Sequence, residues 1–234
     1  MIREQQAEVR TPFFCVNPKA YLHGEAALKL ALKADQLAAD YDIDVFFTVQ
    51  HVDARYIAER TRHLIITVQH MDELEAGPGM GYILPEALSE AGVQATFLNH
   101  AEHPITYRQL EHTICRARQV GIKTIVCADS LSEAKAAALL RPTIIVCEPS
   151  ELIGTGETSD VDYMEQTNRA IKKASKGILV LQAAGISTAT DVRRALQSGA
   201  DGTGGTSGIV CAPNPEAMLE QMLQVVWEAK GEKR

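Results

Sequence analysis

Residues 95–127 read ATFLNHAEHPITYRQLEHTICRARQVGIKTIVC. Ala95 to Leu98 and Lys123 to Cys127 are short β-rich runs. Between them Tyr107, Leu110, Ile114 and Ala117 recur at three- and four-residue steps, which puts them on one face of a helix. A strand, a helix and a second strand in this order lie in one parallel sheet, because a parallel neighbour needs a crossover long enough to hold a helix.

The same alternation runs outward in both directions. Strands are expected at Phe13 to Asn17, Asp44 to Thr48, Leu64 to Val68, Ala95 to Leu98, Lys123 to Cys127, Thr143 to Cys147, Ile178 to Gln182 and Gly202 to Gly205. Helix faces are formed by Ala27, Leu30, Ala31, Ala34, Leu37 and Ala38, by Met164, Thr167 and Ile171, by Val192, Ala195 and Leu196, and by Met218, Met222, Val225 and Val226. Most of the strands are near-continuous apolar runs, as expected of parallel strands covered on both faces. The pattern reads as an α/β chain closed into a (β/α)8 barrel, with an open doubly wound sheet as the alternative. Residues 11–234 are then one barrel domain, and residues 1–10 a polar N-terminal extension.

Composition narrows the function. The 234 residues carry 23 Lys and Arg against 30 Asp and Glu, a formal charge of −7, which argues against a duplex-wide nucleic-acid footprint or an anionic membrane surface. No apolar run is long enough to span a bilayer, and the opening residues are too polar for a signal peptide, so a cytoplasmic protein is expected. Cys15, Cys115, Cys127, Cys147 and Cys211 form no short pair, and Cys15, Cys127 and Cys147, each ending a β-rich run, read as small buried hydrophobes in a reducing compartment.

In a βα barrel the chemistry gathers at the C-terminal ends of the strands. Those positions hold Asn17 and Lys19; His51 and Asp53; His70 and Asp72; Asn99, His100 and Glu102; Glu148; Ala184-Gly185-Ile186-Ser187; and Gly204-Gly205-Thr206-Ser207-Gly208. The last two segments suit a phosphate, because small residues let backbone N–H groups approach an anion in the loops after strands seven and eight. Lys19, His100 and Glu148 together fit proton abstraction beside a carbonyl, with a carboxylate as base and a cation and a donor for the developing oxyanion. Two other readings use the same positions: a metal-dependent barrel built on His51, His70 and His100 with Asp53 or Asp72, and a non-catalytic barrel that binds a phosphometabolite. Thr48-Val49-Gln50-His51-Val52-Asp53 is echoed by Thr67-Val68-Gln69-His70-Met71-Asp72, as expected of consecutive βα units of similar build.

Val16-Asn17-Pro18-Lys19-Ala20-Tyr21, Leu98-Asn99-His100-Ala101-Glu102, Glu148-Pro149-Ser150-Glu151-Leu152-Ile153-Gly154-Thr155-Gly156 and Ala184-Gly185-Ile186-Ser187-Thr188 resemble, in order, the signature segments of the triosephosphate isomerases, whose barrel is the TIM barrel. The short archaeal-type branch is the nearest look-alike, through Gln69-His70-Met71-Asp72 and Leu84-Pro85-Glu86. The resemblance implies a cofactor-free, metal-free isomerase for D-glyceraldehyde 3-phosphate and dihydroxyacetone phosphate. In it Glu148 is the base, His100 a neutral electrophile and Lys19 the cation, with Asn17 beside it; the neutral-imidazole assignment is carried over from the family. It further implies that Ser150 to Gly156 form a lid, and that Ile153, Gly185, Gly204, Gly205, Thr206 and Ser207 hold the phosphate. Ala101, Met80 and Gln182 depart from the family pattern, and a four-carbon phosphosugar such as a tetrulose phosphate is the variant substrate they suggest. A homodimer or homotetramer is implied as well, with Glu75 to Gly81 as the candidate contact.

Overall fold

The computed structural model describes residues 8–149, 152 and 159–232. Its elements are β1 (Phe13–Val16), α1 (Gly24–Tyr41), β2 (Val45–Val49), a 3-10 turn (His51–Asp53), α2 (Ala54–Ala58), β3 (Leu64–Val68), α3 (Pro85–Glu90), β4 (Ala95–Leu98) and α4 (Tyr107–Val120). There follow β5 (Lys123–Ala128), α5 (Leu131–Leu139), β6 (Ile144–Cys147), α6 (Val161–Ala174), β7 (Leu179–Gln182), α7 (Ala189–Gln197), β8 (Gly202–Gly205), α8 (Ser207–Val210) and α9 (Pro215–Glu232). The eight strands pair in sequence order and in parallel, and β8 returns to β1 to close the barrel. The fold is the (β/α)8 TIM barrel, and the open sheet is excluded by the β1–β8 pairing.

Alternate residues of each strand enter two separate cores. Phe13, Cys15, Phe46, Phe97, Ile125, Ile144 and Leu181 fill the inside of the barrel. Phe14, Val16, Val45, Phe47, Val126, Ile145 and Val180 face the helices, where Leu30, Ile114, Ile171, Val192 and Met222 cover them. This double burial is why the strands read as unbroken apolar runs. Side-chain caps start several helices: Thr106 and Gln109 form a capping box at α4, Thr188 and Asp191 another at α7, and Ser130 and Asp160 cap α5 and α6. Helix α1 has no side-chain cap of its own, and Asp53 Oδ2 accepts from the Gly24 N–H at 2.9 Å instead.

Of the expected N-terminal extension, Glu8 to Arg10 are described. Val9 is buried against the inner core, and Arg10 bonds Asp44 and pairs with Asp42, so both belong to the barrel floor. Residues 1–7 lie outside the described residues.

Barrel closure relies on β8 lacking side chains on its inner face. A Cβ at Gly202 would lie 2.5 Å from the Phe13 ring, and one at Gly204 would lie 2.5 Å from the Cys15 carbonyl oxygen and 2.8 Å from its Cβ. A ring can rotate away, whereas strand backbone cannot without loss of the β1–β8 ladder, in which Cys15 pairs with Gly204. Gly204→Ala is therefore expected to destabilise the fold by about 1–3 kcal/mol or more. Gly231→Ala, in α9 with open space around it, should leave stability equal or slightly raised. Urea midpoints of the two variants check this, and equal midpoints would refute it.

Candidate active site

The strand ends meet at one mouth. A cavity of about 430 Å³ is lined by Lys19, Ala20 and Tyr21 after β1, Glu102 after β4, Glu148 after β6, Ala183, Gly185 and Ile186 after β7, and Thr206 and Ser207 after β8. A small recess beneath it is lined by Asn17, Lys19, His100, Glu148, Gly204 and Gly205, among others. The structure thus brings together Asn17, Lys19, His100, Glu148, Gly185, Gly204, Gly205, Thr206 and Ser207. Ile153, and the Ser150 to Gly156 segment apart from Leu152, lie outside the described residues.

Lys19 occupies the left-handed backbone region, at φ 46°. Its N–H donates to Asn17 Oδ1 at 3.0 Å, and its side-chain ammonium pairs with Glu102 Oε1 at 2.8 Å. Asn99 is also left-handed, at φ 58°, and its carboxamide ties its own loop to β5, donating to the Cys127 carbonyl at 3.2 Å and accepting from the Ile105 N–H at 3.2 Å. That turn presents His100, which is almost fully buried. His100 Nδ1 accepts from the Glu102 N–H at 3.1 Å, so the proton of a neutral ring sits on Nε2, which lies 3.8 Å from Glu148 Oε2.

Burial pushes the His100 pKa below the usual imidazole range; Lys19 adds to the effect, and Glu102 opposes it. Burial pushes Glu148 the other way, above the usual carboxylate range, with Lys19 restraining the rise and Glu102 adding to it. A neutral imidazole with an outward N–H and a carboxylate of raised basicity therefore face one small cavity beside a cation. That arrangement can move a proton between carbon atoms while it polarises an oxygen.

The glycine-rich loops have two jobs. Gly204 permits the contact with β1, and a Cβ at Gly208 would lie 2.5 Å from the Ser187 Cα, so the loops after β7 and β8 pack backbone to backbone. Gly185 sits at φ 66°, in the left-handed region. The result is a wall of backbone and small side chains, Gly185, Thr206 and Ser207, in the cavity that Lys19 also lines.

The candidate metal ligands are turned to other partners. His51 Nε2 lies 2.6 Å from the His70 carbonyl oxygen, Asp53 caps α1, and Asp72 accepts from the Ile83 N–H at 2.7 Å and faces His70 Nε2 at 3.2 Å. Among the described residues, no group of three or more His, Cys, Asp or Glu is placed to hold a metal ion. The departures from the family pattern also stand clear of the cavity lining. Gln182 points out of the barrel and donates to Thr167 Oγ1 and Asn168 Oδ1 of α6, while Ala101 and Met80 are exposed.

Three polar residues at the mouth have no role in the sequence reading. Glu102 lies inside a quoted motif, but its function as the partner of both Lys19 and His100 depends on loops meeting. Gln50 and Gln69 both reach the Lys19 carbonyl, and the repeated Thr-Val-Gln-His was the signal that could have found them.

A family model described as triosephosphate isomerase matches residues 12–220. The chain is similar to proteins named triosephosphate isomerase from Methanopyrus kandleri, at 38% identity over 91% of this chain and 97% of that one. It is likewise similar to those of Methanocaldococcus jannaschii, at 34% identity over 90% and 98% of the two chains, and of Sulfurisphaera tokodaii, at 32% over 92% and 95%. A barrel closed in this order, a neutral histidine facing a buried carboxylate beside a lysine, and a match over nine-tenths of the sequence lead to one assignment: the chain belongs to the triosephosphate isomerase family.

Proposed function

We propose that Glu148, His100 and Lys19 carry the interconversion of D-glyceraldehyde 3-phosphate and dihydroxyacetone phosphate, the reaction of this family. The observation that supports it best is the His100 ring, whose Nδ1 is occupied by the Glu102 N–H and whose Nε2 looks toward Glu148. The Glu148 carboxylate removes a proton from the carbon beside the carbonyl. The electron pair of that C–H bond forms the enediolate double bond, and the carbonyl oxygen takes up the charge. His100 donates from Nε2 to that oxygen and recovers a proton from the neighbouring hydroxyl. Glu148 then returns its proton to the adjacent carbon, so the substrate leaves with the atoms it brought. Lys19 offsets the enediolate charge as it develops.

Gly185, Gly204, Gly205, Thr206 and Ser207, with Ile153, are proposed to hold the phosphate, largely through main-chain N–H groups. Binding energy from the dianion then supports chemistry at carbons remote from it. The substrate is a small phosphosugar, and the three-carbon sugar is the one that the family supports. Proton transfer of this kind needs no cofactor or metal.

We further propose self-association, as a dimer or tetramer, through the loop at Glu75 to Gly81, where Met80 is fully exposed and Tyr82 is exposed beside it. A cytoplasmic location is proposed from the family's place in central metabolism. No helix of the described residues is long and apolar enough to cross a membrane.

Assay of a panel of phosphorylated aldoses and ketoses, before and after exhaustive chelation, should show turnover of the three-carbon pair that survives chelation. Absence of triose turnover would overturn the reading.

Glu148→Gln should lower kcat by about 10²–10⁴-fold while inorganic phosphate still binds. Its stability should move the opposite way. A folded-state pKa raised above the unfolded value stabilises the fold fully below the unfolded pKa, and that contribution is lost as pH rises through the folded pKa. At neutral pH, above the unfolded value, burying the Glu148 carboxyl therefore costs stability, and the Gln variant should melt at a higher temperature. Unchanged kcat would remove Glu148 from the mechanism.

The acid limb of kcat/KM should lie above the usual carboxylate range, because Glu148 must be ionised and its pKa is raised. Lys19→Met should raise the NMR titration midpoints of both Glu148 and His100, since the Lys19 cation lowers both. Midpoints that stay in place would show that Lys19 is not coupled to them.

A further inference from the structure

The echoed segments Thr48-Val49-Gln50-His51 and Thr67-Val68-Gln69-His70 occupy equal places in the sheet, with Thr48 paired to Thr67 and Val49 to Val68. Gln50 and Gln69 therefore leave adjacent strands side by side, one residue past the ladder. Their carboxamides converge on a single atom. Gln50 Nε2 lies 3.1 Å and Gln69 Nε2 2.8 Å from the Lys19 carbonyl oxygen, and Gln50 Nε2 also lies 3.3 Å from Gln69 Oε1, which sets the orientation of the second amide from the first. Both lone pairs of that carbonyl are thus engaged, while Asn17 Oδ1 engages the N–H of the same residue.

Lys19 is where such restraint is needed. A non-glycine residue at φ 46° persists only when its surroundings over-determine it, and without external bonds the peptide would relax toward the common regions. Relaxation would swing the Cα–Cβ bond, and with it the ammonium beside Glu102, His100 and Glu148. We infer that Gln50 and Gln69 are positioning residues for catalysis: a paired carboxamide clamp that holds the Lys19 backbone in its strained state and so aims the cation. The inference rests on the role proposed above for Lys19 and extends it to two residues that do not touch the reacting carbons. Gln69 also borders the side cavity next to Lys19, and Met, an apolar chain of similar length, removes either amide's bond while keeping most of its volume.

Because the two donors share one acceptor, either one alone retains a bond to it. Gln50→Met and Gln69→Met should each lose kcat only severalfold, while the double variant should lose about 100-fold, the scale of a 1 Å misplacement of a catalytic group. In the double variant the titration midpoints of His100 and Glu148 should also move up, as in Lys19→Met, a change that a merely structural role would not produce. If the double Met variant does not fold, the double Asn variant, which keeps the amides but falls one methylene short, is read in the same way. A folded double variant with parental kcat, with equal losses in both single variants and the double, or with unmoved midpoints overturns the clamp. Parental turnover in Lys19→Met would instead overturn the role of Lys19, so the two failures are distinguishable.

Discussion

Everything at the mouth depends on β8 approaching β1 closely enough to close the sheet. Gly202-Thr203-Gly204-Gly205 presents two inward positions with no side chain, against which Phe13 and Cys15 pack without a gap. A parallel barrel must also be filled, and Phe13 and Phe46, edge to face at 5.3 Å between ring centres, occupy the space that the glycines leave. Closure puts the loop after β1 beside the loop after β8. Lys19 and the Thr206–Ser207 wall, 187 residues apart in sequence when counted from Lys19 to Thr206, thereby share one cavity.

Within that cavity one physical effect acts on two groups in opposite directions. Burial disfavours charge, so it makes the carboxyl harder to ionise and the imidazole harder to protonate. A stronger base and a neutral donor follow from the same desolvation. Lys19 limits the first effect and reinforces the second, so the cation tunes its two neighbours as well as any substrate oxyanion. Glu102 balances the cation and, through its backbone N–H, fixes which nitrogen of His100 carries the proton.

Polar side chains that resemble catalytic candidates mostly hold backbone. Asp53 caps α1, Asp72 closes the loop that ends at Ile83, His51 reaches the His70 carbonyl, and Asn99 ties β4 to the end of β5. Strained or irregular backbone near a site must have its N–H and C=O groups satisfied, and side chains from neighbouring strands are the nearest source. A histidine or aspartate at a strand end is consequently as much a part of the scaffold as a candidate ligand.

The strands and helices, their parallel order and the ends at which chemistry gathers were legible in the chain itself, because apolar period and strand–helix alternation are local properties. Leu64 to Val68, Ala95 to Leu98 and Gly202 to Gly205 are read to the residue, and the other strands to within one residue at each end. Lys19, His100 and Glu148 could be named because each follows a strand. What only the tertiary structure decided is who meets whom: Val9 and Arg10 close the barrel floor, Gln182 turns outward to α6, and the echoed glutamines converge on one carbonyl. These contacts join residues tens of positions apart. No local pattern encodes such distances, since they exist only once the sheet has closed.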